Sequence, residues 1–79
     1  MTVGHLRNID LKDYLKFLVH IGCKQTRSKG GHFHYTRSDL LRPITVQSHI
    51  DPVPEFIIKQ HLRALNISKK EFLDIYYSL

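Results

Sequence analysis

Two adjacent glycines, Gly30 and Gly31, stand directly before a segment of strict alternation, His32-Phe33-His34-Tyr35-Thr36-Arg37. No other feature narrows the fold as much. A two-residue hairpin turn needs positive φ at its centre, and glycine adopts it without a Cβ clash. Ser28-Lys29-Gly30-Gly31 therefore predicts a turn between a strand over Cys23 to Arg27 and one over His32 to Arg37. Side chains alternate between faces along a strand, so Phe33 and Tyr35 point one way and His32, His34 and Thr36 the other. Ser38 to Arg42 returns the chain to a third strand, Ile44 to His49, with Pro43 at its edge, where a missing N–H is tolerated. Ile44 and Val46 share one side of that strand; Thr45, Gln47 and His49 share the other.

Three strands in a meander have one apolar face to cover, and the flanking segments read as the helices that cover it. Asp10 is placed to cap a first helix, with Ile9 and Tyr14 at hydrophobic-staple spacing. Leu11, Tyr14, Leu15, Leu18 and Ile21 form its expected buried stripe, and Gly22 its stop. Asp51-Pro52-Val53-Pro54 reads as a rigid linker, with Pro54 in the first turn of a second helix that runs to about Leu65. Phe56, Ile58, Leu62 and Leu65 are its expected core residues, and Asn66 its left-handed stop. Ser68-Lys69-Lys70-Glu71 is a capping-box pattern, with Ile67 and Phe72 as staple, so a short third helix is expected from Lys69 to about Tyr77. Residues 1 to 8 read as a loose leader. The expected class is α+β, one domain over residues 1 to 79, with a three-stranded antiparallel sheet covered on one face by helices.

A length of 79 residues has no room for a Rossmann or barrel enzyme. An apolar content of 42% exceeds that of a disordered tail. The single cysteine, Cys23, has no internal disulfide partner and reads as a small buried apolar residue. With neither an 18-residue apolar run nor a signal-peptide pattern, the expected setting is cytoplasmic, with no membrane partner. The net charge of +5 is unevenly placed. Residues 23 to 42 hold Lys24, Arg27, Lys29, Arg37 and Arg42 against only Asp39, so +4 of the +5 sits there. Charge spread for solubility would not gather this way. A polyanionic partner, most simply RNA, explains it.

RNA cleavage without a metal needs a base for the 2′-hydroxyl, cationic donors for the charged transition state and an acid for the departing 5′-oxygen. Imidazole suits the first and last of these roles, Lys and Arg the middle one. The His-bearing strand face, ringed by Lys24, Arg27, Lys29 and Arg37, has these parts. Plainer readings stand beside this one. His32 and His34 also fit exposed polar strand positions, His49 fits a turn, and the cations fit a solvated rim. Gly30-Gly31 can cradle a phosphate with backbone N–H groups or simply make the hairpin. A His32-x-His34 metal pair lacks a carboxylate or thiolate set to complete it, so no cofactor is expected.

The segment from Gly22 to Tyr76 resembles the HicA (YcfA-like) toxins of type II toxin–antitoxin systems. That family shows Leu-Gly-Phe at the end of its first helix, a Lys-Gly-Ser-His run before an aromatic strand, a Val-Pro-x-His strand, and a Gly-Ile-Ser turn before a Glu-Glu-Phe-Leu helix. Here these read Ile21-Gly22-Cys23, Lys29-Gly30-Gly31-His32-Phe33-His34-Tyr35, Val46-Gln47-Ser48-His49, Asn66-Ile67-Ser68 and Lys70-Glu71-Phe72-Leu73. Gly31, Gln47 and Asn66 replace the usual Ser, Pro and Gly, and Phe56-Ile57 stands where Gly-Thr is common. The resemblance implies a double-stranded-RNA-binding-like α-β-β-β-α fold and a ribosome-independent mRNA endoribonuclease with His32 as the active-site histidine. It also implies an acidic-faced HicB-type antitoxin that covers the site.

The expectation that follows is a metal-independent endonuclease of mRNA. His32 is its acid or base and His49 a candidate second proton-transfer group. Lys24, Arg27, Lys29, Gly30, Gly31, His34 and Arg37 are its RNA-binding residues. The alternatives are a non-catalytic RNA-binding domain using the same face, and a module whose partner is an acidic protein.

Overall fold

A computed structural model describes residues 6 and 8–79. The elements run α1 (Leu11–His20), β1 (Lys24–Lys29), β2 (His32–Thr36), β3 (Ile44–Gln47), α2 (Glu55–Leu65) and α3 (Lys69–Tyr76). The strands form one antiparallel sheet in the order β1-β2-β3. The described residues form a small α+β architecture with three helices.

The hairpin turn uses only Gly30 and Gly31, at φ 59° and 80°. Two positive-φ residues make the turn that matches strand twist. Ser28 and Lys29 therefore stay in the ladder, opposite Phe33 and His32, and β1 runs two residues past its expected end. Strand β1 reads as weakly patterned because its register shifts between Gln25 and Arg27, a bulge that breaks the period of two. Strand β3 stops at Gln47 rather than His49. Beyond it the Ser48 N–H donates to the Gly31 carbonyl at 2.7 Å, which carries the pairing back to the turn.

Local signals end the helices as the sequence leads one to expect. Asp10 accepts the Asp13 N–H at 3.1 Å and caps α1. Gly22, at φ 98°, donates to the Val19 carbonyl and Cys23 to the Leu18 carbonyl, a paired closure that satisfies two orphan carbonyls. Asn66 adopts the left-handed conformation at φ 59° and ends α2. Ser68 accepts the Glu71 N–H at 3.0 Å and starts α3. Pro54 stands one position earlier than expected, as the cap of α2 rather than within its first turn.

One apolar core joins the Tyr35, Ile44 and Val46 face of the sheet to Tyr14, Phe17 and Leu18 of α1, Ile58, Leu62 and Leu65 of α2, and Phe72 of α3. Tyr14 lies at its centre, with ring centroids 5.9 Å from Phe17, 5.8 Å from His61 and 6.0 Å from Phe72. Phe17 belongs to the core beside the expected α1 stripe, whose Leu11, Leu15 and Ile21 are only half-buried. The expected place of Phe56 in the core is overturned: its side chain is 64% exposed. At 100° per residue it stands about 200° around α2 from Ile58, and the position in the buried stripe falls to His61. The leader expected over residues 1 to 8 lies largely outside the described residues, but Leu6 is fully buried in the core.

Candidate functional site

Among the described residues, the helices pack on the Tyr35, Ile44 and Val46 face of the sheet, and the opposite face carries the histidines. Its rows follow from the register. Lys29, His32 and Gln47 lie side by side across the three strands, and the backbones of Arg27, His34 and Thr45 form the next row. Lys24 pairs with Thr36 further along. For Arg27 the described part is the backbone. Lys24 and Lys29 are exposed, while His32 and His34 are half-buried between their neighbours.

His32 is held by its own turn. Its Nδ1 lies 3.1 Å from the Gly30 carbonyl oxygen. A carbonyl can only accept, so Nδ1 carries the proton of the neutral ring and Nε2 presents a lone pair. That is the tautomer a general base needs. His34 differs: its Nδ1 meets the Thr45 hydroxyl at 3.1 Å across the strand pair, and the hydroxyl can serve as donor or acceptor. His49 lies just past β3, packed on the turn, with its Nδ1 3.5 Å from where a Cβ on Gly31 would sit. Gly31 is held by its left-handed φ of 80°; an added Cβ would only touch the His49 ring at ordinary contact distance. Gly30 has open space around its Cβ position.

Arg37 lies apart from this face. Its Nε and Nη2 donate to the two Asp39 carboxylate oxygens at 2.6 and 2.9 Å. Nη1 reaches the Ile21 carbonyl at 3.2 Å and Nη2 the Leu65 carbonyl at 3.3 Å. One guanidinium thus joins the C-terminal ends of α1 and α2, where the helix dipoles favour a cation. The hydrogen bond from Arg37 pulls the Asp39 carboxyl below its ordinary range, and the same bond pushes Arg37 upward. Strand parity carries the signal for this placement, since Arg37 follows Phe33 and Tyr35 at spacings of two and so falls on the core side. Among the described residues the ion pairs are Lys16–Asp13, Arg37–Asp39, Lys59–Glu55 and Lys70–Asp74. Asp39, the one acid of the basic segment, is thus spent on Arg37, and Lys24 and Lys29 keep their charge for the open face.

A cleft of about 380 Å³ opens where this face meets the start of α2, lined by His32, Thr45, Gln47, Ile50, Val53, Phe56 and Ile57 among others. Its far wall is tied down. The Leu11 N–H donates to Asp51 Oδ1 at 3.0 Å, and the Val53 N–H to the Ile9 carbonyl at 2.9 Å. The linker that precedes α2 is thereby fastened to the start of α1. Strand parity places Gln47 and Thr45 on the His face, but the cleft also needs Phe56, which its hydrophobicity alone would place in the core.

The buried His61 is distinct from the open-face histidines. Its Nδ1 meets the Tyr14 hydroxyl at 2.7 Å. Burial pushes its pKa down to about 4, partly opposed by an interaction with the Thr45 backbone. Burial likewise pushes the Tyr14 phenol above its ordinary range. The Nδ1 of the neutral ring accepts a hydrogen bond from the phenol, and His61 serves as a satisfied core residue.

Among the described residues, no three His, Cys, Asp or Glu side chains gather where they could hold a metal ion. No described helix is long and apolar enough to cross a membrane. Comparison with known proteins found no matching family model, no similar curated protein and no similar solved structure.

Proposed function

We propose that this chain is a metal-independent endoribonuclease acting on mRNA, the toxin half of a toxin–antitoxin pair, built on a double-stranded-RNA-binding-like scaffold. The observation that carries the reading is the His32 ring, whose Nδ1 is bound to the Gly30 carbonyl at 3.1 Å and whose Nε2 is left to act. The element order α-β-β-β-α, with a basic face free of helices, supports the scaffold reading.

The chemistry follows from the positions. His32 Nε2 takes the proton of a ribose 2′-hydroxyl. The freed oxygen attacks the adjacent phosphorus, and the bond to the 5′-oxygen of the next nucleotide breaks. Lys29, in the His32 row, stabilises the charge that builds on the phosphoryl oxygens, and Lys24, opposite Thr36 further along the sheet, holds the flanking RNA backbone. An imidazolium protonates the leaving 5′-oxygen, and His49, packed on the same turn as His32, is the candidate for that step. The products are a 2′,3′-cyclic phosphate and a 5′-hydroxyl, with no metal in the balance. A face that damages mRNA when open calls for a cover, and an acidic HicB-type protein fits its charge. Such a pair would work in the cytoplasm, beside its RNA.

The test is labelled RNA incubated in EDTA with the native protein and with His32→Ala. Cutting by the native protein, reduced about 10²–10⁴-fold in the variant, is the expected result. Salt-dependent binding without cutting by either protein would replace the enzyme with an RNA-binding domain. Absence of salt-dependent binding would remove both and leave a protein-interaction module.

A further inference from the structure

We propose that the cleft beside His32 holds one unpaired RNA base and sets where the strand is cut, with Phe56 stacking on the base and Gln47 reading its edge. This rests on the reading of the chain as an RNA-cleaving domain.

Three observations converge on it. The first is size and lining. A volume of about 380 Å³ is at the small end for a ligand pocket and has room for a single base. Ile50, Val53 and Ile57 supply apolar walls, and Phe56 stands at the first turn of α2 with 64% of its surface in solvent. An aromatic ring at the rim of an apolar slot is the common platform for a splayed-out base, which stacks with little regard to its identity.

The second observation is adjacency to the chemistry. Gln47 is the direct cross-strand partner of His32. Side chains so opposed stand roughly 5 Å apart at Cβ. A base bonded to Gln47 therefore brings its own ribose and phosphate to His32. The exposed amide offers both donor and acceptor, which is what discriminating one base edge from another requires. The Thr45 hydroxyl is already engaged with His34, so the reading falls to Gln47.

The third is rigidity. The wall formed by residues 51–54 is fastened to the start of α1 through Asp51 and Val53, so the cleft is formed before anything enters it.

The experiment uses single-stranded RNA of randomised sequence, cut in EDTA by the native protein, Phe56→Ala and Gln47→Ala, with the cut positions sequenced. The native protein should prefer one base, or a pair of related bases, next to the cut. Gln47→Ala should spread the cuts over all four bases. Phe56→Ala should raise KM roughly tenfold to a hundredfold, as the loss of one stacked base implies. Its thermal unfolding should match that of the native protein, because the ring is exposed. Cutting by all three proteins with the same base pattern and the same KM overturns the subsite while sparing the nuclease.

Absence of cutting by the native protein overturns the nuclease instead. The subsite then stands or falls on fluorescence anisotropy with a single-stranded eight-nucleotide RNA. Weaker binding by Phe56→Ala, by tenfold or more, supports it. Equal binding by both proteins, or preference for a duplex of the same length, overturns it.

Discussion

Replacing His61 with glutamine should remove much of the loss of stability that acid causes between pH 7 and pH 5. The ring is buried against Tyr14 and stays neutral in the folded chain down to about pH 4, whereas the unfolded ring titrates near 6.5. Between those values the unfolded state binds the extra proton, so stability is complete above about pH 6.5 and falls as pH drops toward 4. A difference of 6.5 against about 4 corresponds to about 3 kcal/mol in full, of which about 2 kcal/mol is gone by pH 5. For a domain of 79 residues that is a drop in melting temperature of roughly 8–16 °C. Glutamine keeps an acceptor for the Tyr14 hydroxyl but cannot titrate. The assay is thermal unfolding followed by circular dichroism at pH 7, 6 and 5 for both proteins. Other titrating groups are common to the two, and their effects cancel in the difference. A parallel decline of the two melting temperatures would refute the reasoning, since it would mean that His61 is not the group being charged.

The two turn glycines should respond differently to substitution. Gly30→Asn should change stability by only a few tenths of a kcal/mol, because its Cβ position is open and asparagine tolerates a φ near 59°. Gly31→Ala should cost about 1–2 kcal/mol in urea unfolding, because a φ near 80° is strained for alanine, while its Cβ would rest on His49 at ordinary contact distance. Arg37 and Lys29 should separate by assay. Arg37→Ala should lower the melting temperature while leaving the salt slope of RNA binding unchanged, and Arg37→Lys should not restore it, since one ammonium cannot span Asp39, Ile21 and Leu65. Lys29→Ala should do the reverse, keeping the melting temperature and reducing the slope of log affinity against log salt by about 0.7–0.9.

Local chemistry was legible where a backbone constraint sits in a single residue. Gly22, Gly30, Gly31 and Asn66 mark their positive-φ turns, and Asp10 and Ser68 cap their helices, because each satisfies a need of its own neighbourhood. Parity along β2 and β3 likewise separated the Tyr35, Ile44, Val46 face from the His32, His34, Gln47 face. Strand β1 resisted the same treatment because its bulge resets the alternation. Phe56 was misassigned because hydrophobicity alone does not say which side of a helix is wet; the stripe through Ile58, His61, Leu62 and Leu65 decides that.

What the chain alone determined, then, is the order of elements, the hairpin at its centre and a charge surplus gathered around two histidines. Tertiary structure decided which of those charges are free. Arg37 and Asp39 lie two residues apart, and only the meeting of the ends of α1 and α2 turns them into a clasp. It also made the cleft, because His32, Gln47, Val53 and Phe56 come from separate segments that touch only after the linker is fastened to α1. Turns and caps are short-range demands and can be read along a sequence. A guanidinium's partners and a cavity's walls are set by contacts between distant residues, and those exist only once the core has closed.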